Sequence, residues 1–363
     1  MNYEDKLILL YKTLVNNLTN SGNVYIVPHI NMDYDAIASA SCLYEICKEY
    51  NSNIYIVTDD LYENMEPSLR IMCNELNSRY NFINTRQLNN IRTNNDLVII
   101  TDTNKKNLIP IDNINTFSNI IVIDHHKTDI NTIYTDKLFI ETNISSACEF
   151  VYDLSSISDT KIDEYLANIL LSGIYLDTNR LSRNFKVSTA KVVYELMKLG
   201  ANSDEVNNLF TISNFDSDRK RQRLIDSTKF YTNNITFTMD EVNPYNIYTH
   251  EDLARVADYL LQYSIDASFV MGYIDRKELG DKHKNLISLK ARSKAKRNSI
   301  DVSSIMNLFN GGGDDNRAAC IIEDEDIFSV RNKLHTLLNQ DINIINDTIN
   351  NKVLTLNKEY RHE

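Results

Sequence analysis

A chain of 363 residues, 42% apolar and 24% charged, is longer than one hydrophobic core usually organises, so two globular domains are expected. A formal net charge of −12 argues against a broad basic face for nucleic acid or an anionic membrane and leaves room only for a local cationic site. The five cysteines (Cys42, Cys47, Cys73, Cys148, Cys320) are odd in number and form no CxxC pair, which argues against a disulfide framework or a structural zinc.

The N-terminal stretch "MNYEDKLILLYKTLVNNLTN" is an apolar repeat broken by Glu4, Asp5, Lys6 and Lys12, with no basic leader pattern, and no later segment reaches about 20 uninterrupted apolar residues. A cytosolic protein is expected. The β-rich runs "NVYIV", "NIYIV", "DLVII" and "NIIVI" follow, with the helical pattern of "AIASASCLYEICKEY" between the first two. Strands alternating with helices predict a doubly wound α/β domain around a mostly parallel sheet. The helical segments "SSACEFVYDL", "KIDEYLANILLSGIYL" and "STAKVVYELMKLG" close this first domain, the last stopping at Gly200. The charged, polar run "SNFDSDRKRQRLIDSTKFYTNN" predicts a solvated connecting helix or linker. The expected boundaries are therefore a first domain at 1–210, a linker at 211–235 and a second domain at 236–363. In the second domain "NITFTMD", "ASFVMGYID" and "NLISLKARS" read as strands, and "HEDLARVADYLLQY" and "VSSIMNLFN" as helices. A glycine turn "NGGGDDN" and a closing amphipathic helix around "FSVRNKLHTLLNQ" complete a smaller mixed α/β unit.

Chemistry concentrates where the first-domain strands end. "NVYIV" leads into His29, Asp33 and Asp35; "DLVII" into Asp102; "NIIVI" into Asp124, His125 and His126; and "GIYLDTN" carries Asp177. An isolated aspartate at such a place is more often a cap or turn residue, and an isolated histidine is more often structural. Here three of the seven histidines and five aspartates fall at equivalent places in one sheet, and open parallel sheets bind ligands outside the carboxyl ends of their strands. Carboxylates gathered that closely repel unless cations lie among them. Mixed oxygen and imidazole donors without thiolates suit two divalent ions and favour manganese over zinc, magnesium or calcium. Such a pair activates water and clamps the oxygens of a phosphoryl group.

With the segments "HINMDYDAIAS", "TDT", "VIDHH" and "GIYLDTN" in this order, the chain resembles the DHH phosphoesterase family over roughly residues 20 to 340. Asn31 and the segment "FKVSTAKVVYELMKLGAN" are most like the GdpP-type cyclic-di-AMP phosphodiesterases, with a nanoRNase of the same family next. The resemblance implies that His29, Asp33 and Asp102 hold one metal and that Asp35, Asp102, His125 and Asp177 hold the other, Asp102 bridging. It implies that His126 faces the scissile phosphate and that Asp124 orients an imidazole. The second domain is then the DHH-associated, substrate-carrying domain, with the active site in the cleft between the two domains.

Within that second domain, Gly311, Gly312 and Gly313 would let main-chain amides approach a phosphate, and Arg292 with Ser293 would supply a forked cation and a hydroxyl. A tight connection and a solvated basic face explain the same residues without a ligand. Two departures from the family stand out: Asp314 where a histidine is usual, with Arg317 a candidate to compensate, and Met32 where a proline is usual. The expected activity is manganese-dependent opening of cyclic-di-AMP to linear pApA by attack of a hydroxide formed at two cations. The alternatives are a nanoRNase or pAp phosphatase acting on short oligonucleotides, and a catalytically impaired nucleotide sensor. A small nucleotide is the expected partner, duplex nucleic acid and membrane are not, and a homodimer is left open.

Overall fold

The computed structural model describes residues 2–30, 32–58, 67–210, 215–231, 234–274, 286–294, 300–323 and 325–339. Asn31 and much of the basic run after Lys294 lie outside the described residues. The chain divides into two units, residues 1–213 and 214–363.

In the first unit the four β-branched runs become β1 (Val24–Val27), β2 (Ile54–Val57), β4 (Leu97–Thr101) and β5 (Ile120–Asp124), joined by the short strands β3 (Phe82–Ile83) and β6 (Leu138–Ile140). All pair in parallel in the order β3-β2-β1-β4-β5-β6. Alternation along each strand separates two faces. Ile26, Ile56, Ile99, Ile121 and Ile123 pack with α1 (Tyr3–Leu18), α2 (Tyr34–Cys47), α5 (Ala147–Ser158) and α6 (Glu164–Asp177). Tyr25, Val27, Val98, Ile100 and Val122 face Leu88 of α4 (Thr85–Ile91) and the loop residues Ile109, Phe117 and Ile133. One face is thus layered with helices, and the other is covered by one helix and loop side chains. Because β1 and β4 are neighbours although β2 and β3 intervene in the chain, the winding reverses between them, and a crevice opens at their carboxyl ends.

The remaining first-unit helices are α3 (Pro67–Leu76), α7 (Val187–Lys198) and α8 (Ser203–Leu209). Past the end of α7, Gly200 has φ +105°, a conformation that side chains with a Cβ rarely adopt, which is why the helical pattern stops there.

The second unit is a seven-stranded mixed sheet ordered β12-β13-β11-β10-β8-β7, with β9 paired to β10. Its strands are β7 (Lys229–Tyr231), β8 (Ile235–Thr238), β9 (Ile247–Tyr248), β10 (Ala267–Ile274), β11 (Leu286–Ser293), β12 (Gly312–Asp314) and β13 (Arg317–Ile322). On one face, α11 (Val302–Asn307) and α12 (Ile327–Leu338) bury Phe237, Phe269, Leu289 and Cys320. On the other, α10 (His250–Leu260) sets Leu253, Val256 and Leu260 against Val270, Ile274 and Leu286. The segment expected as a solvated connecting helix or linker, 211–235, carries α9 (Phe215–Asp226) and β7, both within the second unit. In keeping with its polarity α9 buries only Leu224, while Arg221 reaches Asp252 of α10 at 2.7 Å.

Candidate metal centre

Each acidic or imidazole candidate of the first unit is placed by a specific local device. Asp33 N-caps α2, its Oδ1 accepting from the amides of Asp35 and Ala36 at 3.0 Å. That cap aims the first turn of α2, and Asp35 with it, at the end of β1. Asp102 follows β4 with φ +59°, a left-handed conformation that aspartate tolerates better than most side chains. Asp124 is the last residue of β5, so His125 and His126 leave the sheet at the same level. Asp177 arrives differently from the strand-end reading: it is the last residue of α6, which packs over α2. The helical periodicity of "KIDEYLANILLSGIYL" runs straight into it.

These side chains meet. Three overlapping groups, Asp102 with Asp124, His125 and His126; His29 with Asp33 and Asp102; and Asp35 with His125 and Asp177, each offer ligand atoms within 4.8 Å of one another. His29 Nε2 lies 3.4 Å from Asp102 Oδ2 and 3.7 Å from Asp33 Oδ1. His125 Nε2 lies 3.3 Å from Asp102 Oδ1, 3.2 Å from Asp177 Oδ2 and 3.8 Å from Asp35 Oδ2. The two oxygens of Asp102 therefore face two different imidazoles. Asp102 Oδ1 and His125 Nε2 are both sealed from solvent, and neither makes a hydrogen bond of acceptable geometry despite their separation. Two buried lone-pair donors directed at one point fit a cation better than they fit each other.

The electrostatics agree. Asp35 is fully buried, and that burial, with the charges of Asp102 and Asp177, pushes its carboxyl well above the usual carboxylate range. Burial likewise raises Asp177, against the opposing effect of His125. Burial works against charge on His29 and His125, yet the carboxylates of Asp102, Asp33 and Asp177 outweigh it and raise both rings well above the ordinary histidine value. Asp102, 4% exposed, is opposed by the same burial, but the imidazoles of His125 and His29 beside it hold it below the carboxylate range. Protons thus do in this cluster what divalent cations would do better, and cation binding would release them.

Two supports were not singled out by sequence reasoning. The amides of Ala147 and Cys148, at the N-terminus of α5, donate to Asp35 Oδ2 and Oδ1 at 2.7 and 2.8 Å, holding the carboxylate in its buried position. Gly173, inside α6, lets that helix approach: a Cβ there would lie 2.4 Å from Cys148 Sγ, 2.9 Å from Asp35 Cα and 3.0 Å from Asp35 Oδ1. A glycine interrupting an otherwise apolar helix was the available signal.

Asp124 is fully buried and its oxygens are occupied. Oδ1 accepts from the amides of His125 at 2.7 Å and His126 at 3.2 Å and lies 2.9 Å from His126 Nδ1, while Oδ2 accepts from Asn104 Nδ2 at 2.6 Å. Its oxygens thus already have partners, although it also lies within ligand reach of Asp102, His125 and His126. The His126 side chain is 54% exposed; burial and the neighbouring His125 oppose a proton on it, but the carboxylates of Asp124 and Asp102 together raise it above the ordinary histidine value.

The second-unit candidates separate into two sets. Neighbouring residues of a strand point to opposite faces, so Arg292 and Ser293 of β11 do not act side by side. Arg292 Nε is 3.3 Å from Asp258 Oδ1 of α10, and its register partner on β13 is Arg317. Ser293 is tied to the adjoining turn, its Oγ accepting from Asn316 Nδ2 at 2.9 Å. The expected glycine turn is part of a hairpin, with Gly312 opposite Ala319, Gly313 opposite Ala318 and Asp314 opposite Arg317. Gly311 and Gly313 have reasons internal to it: a Cβ on Gly311 would meet Ala319 O at 2.4 Å, and one on Gly313, whose φ is +144°, would meet Arg317 O at 2.3 Å. Gly312 is open, its nearest neighbour being Asn307 Oδ1 at 3.8 Å.

Comparison with known proteins gives a consistent frame. Residues 23–174 match the DHH family, N-terminal domain. The chain is 28% identical over 306 residues to the cyclic-di-AMP phosphodiesterase GdpP of Bacillus subtilis, covering 82% of this chain and 44% of that protein. It is 24% identical over 327 residues to the bifunctional oligoribonuclease and PAP phosphatase NrnA of Mycoplasma genitalium, covering 85% of this chain and 91% of that protein. An exopolyphosphatase-related protein from Bacteroides fragilis shares the fold, with a TM-score of 0.68 at 17% identity over 92% of this chain and 98% of that one. The chain spans only 38% to 47% of the length of the first curated relatives it matches. Among the described residues no helix is long and apolar enough to cross a membrane.

Proposed function

We propose, from the match of residues 23–174 to the DHH family, N-terminal domain, that the chain is a manganese-dependent phosphodiesterase that opens cyclic-di-AMP to linear pApA. The observation that carries this reading is Asp102, whose two oxygens lie 3.4 and 3.3 Å from the imidazoles of His29 and His125. His29, Asp33 and Asp102 would hold one divalent cation, and Asp35, Asp102, His125 and Asp177 the other. When bound, the ions would acidify water and stabilise charge on the phosphoryl oxygens.

The chain's own residues supply the rest. Hydrolysis adds the oxygen of water to phosphorus and breaks the bond to the ribose 3′ oxygen, which must then take a proton. His126 as the imidazolium is the group assigned to give it: Asp124, 2.9 Å from Nδ1, holds the ring by one N–H and leaves the Nε2 proton for the substrate, the ring ending as the neutral form protonated at Nδ1. Asp35, gripped by two amides of α5, keeps its place as protons leave the cluster. In the second unit, Arg292 and Arg317, in register on adjacent strands, are assigned to substrate phosphate. Ser293 and Gly313 shape the hairpin that carries Arg317. The five cysteines are free and buried, which supports a reducing, cytosolic setting.

A second reading, hydrolysis of short oligoribonucleotides or pAp, is supported by the match along 91% of the Mycoplasma genitalium NrnA. Incubation of the purified protein and Mn2+ with cyclic-di-AMP, pApA and pAp in separate reactions tests the choice. Faster turnover of cyclic-di-AMP is expected. Preferred turnover of pAp would reject it in favour of the second reading, and micromolar binding without turnover would make the protein a nucleotide sensor.

A further inference from the structure

Behind His126 lies a hydrogen-bonded chain of buried groups that ends on a neutral amide. Asn104, fully buried two residues after Asp102, donates from Nδ2 to Asp124 Oδ2 at 2.6 Å and to the carbonyl oxygen of His126 at 3.1 Å. Its own Oδ1 accepts from Thr132 Oγ1 at 3.2 Å, and because the carboxylate and the carbonyl can only accept, the NH2 end is the one that faces Asp124. The opposite oxygen of Asp124 lies 2.9 Å from His126 Nδ1.

We propose that Asn104 is a positioning residue that, by clamping Asp124, locks His126 in the tautomer protonated at Nδ1 and so presents Nε2 as the nitrogen that exchanges a proton with substrate. The role assigned to Nε2 rests on the phosphodiesterase reading above; the tautomer does not. A carboxylate only accepts hydrogen bonds, so a ring nitrogen 2.9 Å from Asp124 Oδ1 must carry the hydrogen. Oδ1 already accepts from two main-chain amides, and Asn104 donates to Oδ2. Without that donor Oδ2 is a buried charged oxygen that has lost its partner, which weakens the hold on the carboxylate that faces the ring. Because Asn104 also holds the carbonyl of His126, it fixes the main chain and the orienting carboxylate of the same residue together.

The test is 15N NMR of histidine-labelled, metal-free protein in alkaline solution, with the His126 signal assigned by His126→Gln. The expected result is a wild-type ring protonated at Nδ1, and at least a tenfold shift in tautomer ratio towards Nε2 protonation in Asn104→Ala and in the similarly shaped Asn104→Leu, which lacks the donor. With the substrate that the wild type turns over, kcat of both variants falls tenfold to a hundredfold while KM and Mn2+ affinity stay within threefold. A wild-type ring protonated at Nε2 overturns the proposal without any variant, so a variant that fails to fold leaves the question decidable. Variants with the wild-type ring signal also overturn it. Absence of turnover by the wild type would defeat the hydrolytic reading alone, because the ring signal is read without metal or substrate.

Discussion

Replacing Gly173 by alanine sets two physical effects against each other. In an ordinary helix interior, alanine is favoured over glycine by roughly 0.5–1 kcal/mol, so propensity alone predicts a more stable protein. At this position the new Cβ would stand 2.4 Å from Cys148 Sγ and 2.9 Å from Asp35 Cα, where carbon contacts settle near about 3.5–4.0 Å. The sulfur can turn aside but the Asp35 backbone cannot, so α6 must retreat from α2 by the better part of an ångström. Overpacking of this kind costs roughly 1–3 kcal/mol, and at about 2–4 °C per kcal/mol for a unit of this size the melting temperature falls by several degrees. The same retreat separates Asp177, one turn further along α6, from Asp35. Since each 1.4 kcal/mol is about a tenfold change in a binding constant, Mn2+ affinity falls roughly tenfold or more. Calorimetric unfolding and Mn2+ titration read the two losses separately. Adding Cys148→Ala removes the closest contact but not the one to Asp35 Cα, so it restores part of the melting temperature and little of the metal affinity. An alanine variant that melts higher than wild type and binds Mn2+ equally well would refute the close-approach argument.

Changing His126 to glutamine removes the proton donor but no assigned ligand, so turnover falls roughly 10²- to 10⁴-fold while Mn2+ affinity holds within threefold; equal losses of both would make His126 a ligand instead. In metal-free protein the raised histidines and Asp35 favour the folded state in their protonated forms, so the stability they contribute is full below about pH 6.5 for the rings and is lost as pH rises through their higher folded values. Asp102 acts in the opposite sense, its contribution being lost only as strong acid protonates it. Thermal unfolding in EDTA should therefore show a lower melting temperature at pH 9 than at pH 6, with Mn2+ removing the difference; a rise with pH in EDTA contradicts the charge assignment. Arg317→Ala should raise KM about tenfold and Asp314→His should lower it; if neither moves KM, the hairpin does not touch the substrate.

What could be read from the residues followed from burial. "NVYIV", "NIYIV", "DLVII" and "NIIVI" are legible because strands covered on both faces need β-branched side chains throughout, whereas β3 and β6, two and three residues long, are too short to show a period. The metal-ligand candidates were legible because polar residues at the ends of such strands have no packing role. Asp177 was identified by type and order but placed at a strand end, because the convergence of helix and sheet on one crevice is not a local property. The hairpin of β12 and β13 was hidden by "GGGDDN", where glycines needed for close strand approach look the same as glycines of a loop. The amides of Ala147 and Cys148 and the amide of Asn104 act through long-range contacts that no spacing reveals.

Anomalous diffraction at the manganese edge from crystals grown with Mn2+ tests the central claim most directly. Two peaks are expected, one among His29, Asp33 and Asp102 and one among Asp35, Asp102, His125 and Asp177, with the Asp102 carboxylate touching both. No peak in the crevice, or a single ion that leaves Asp102 without a metal contact, would contradict the account.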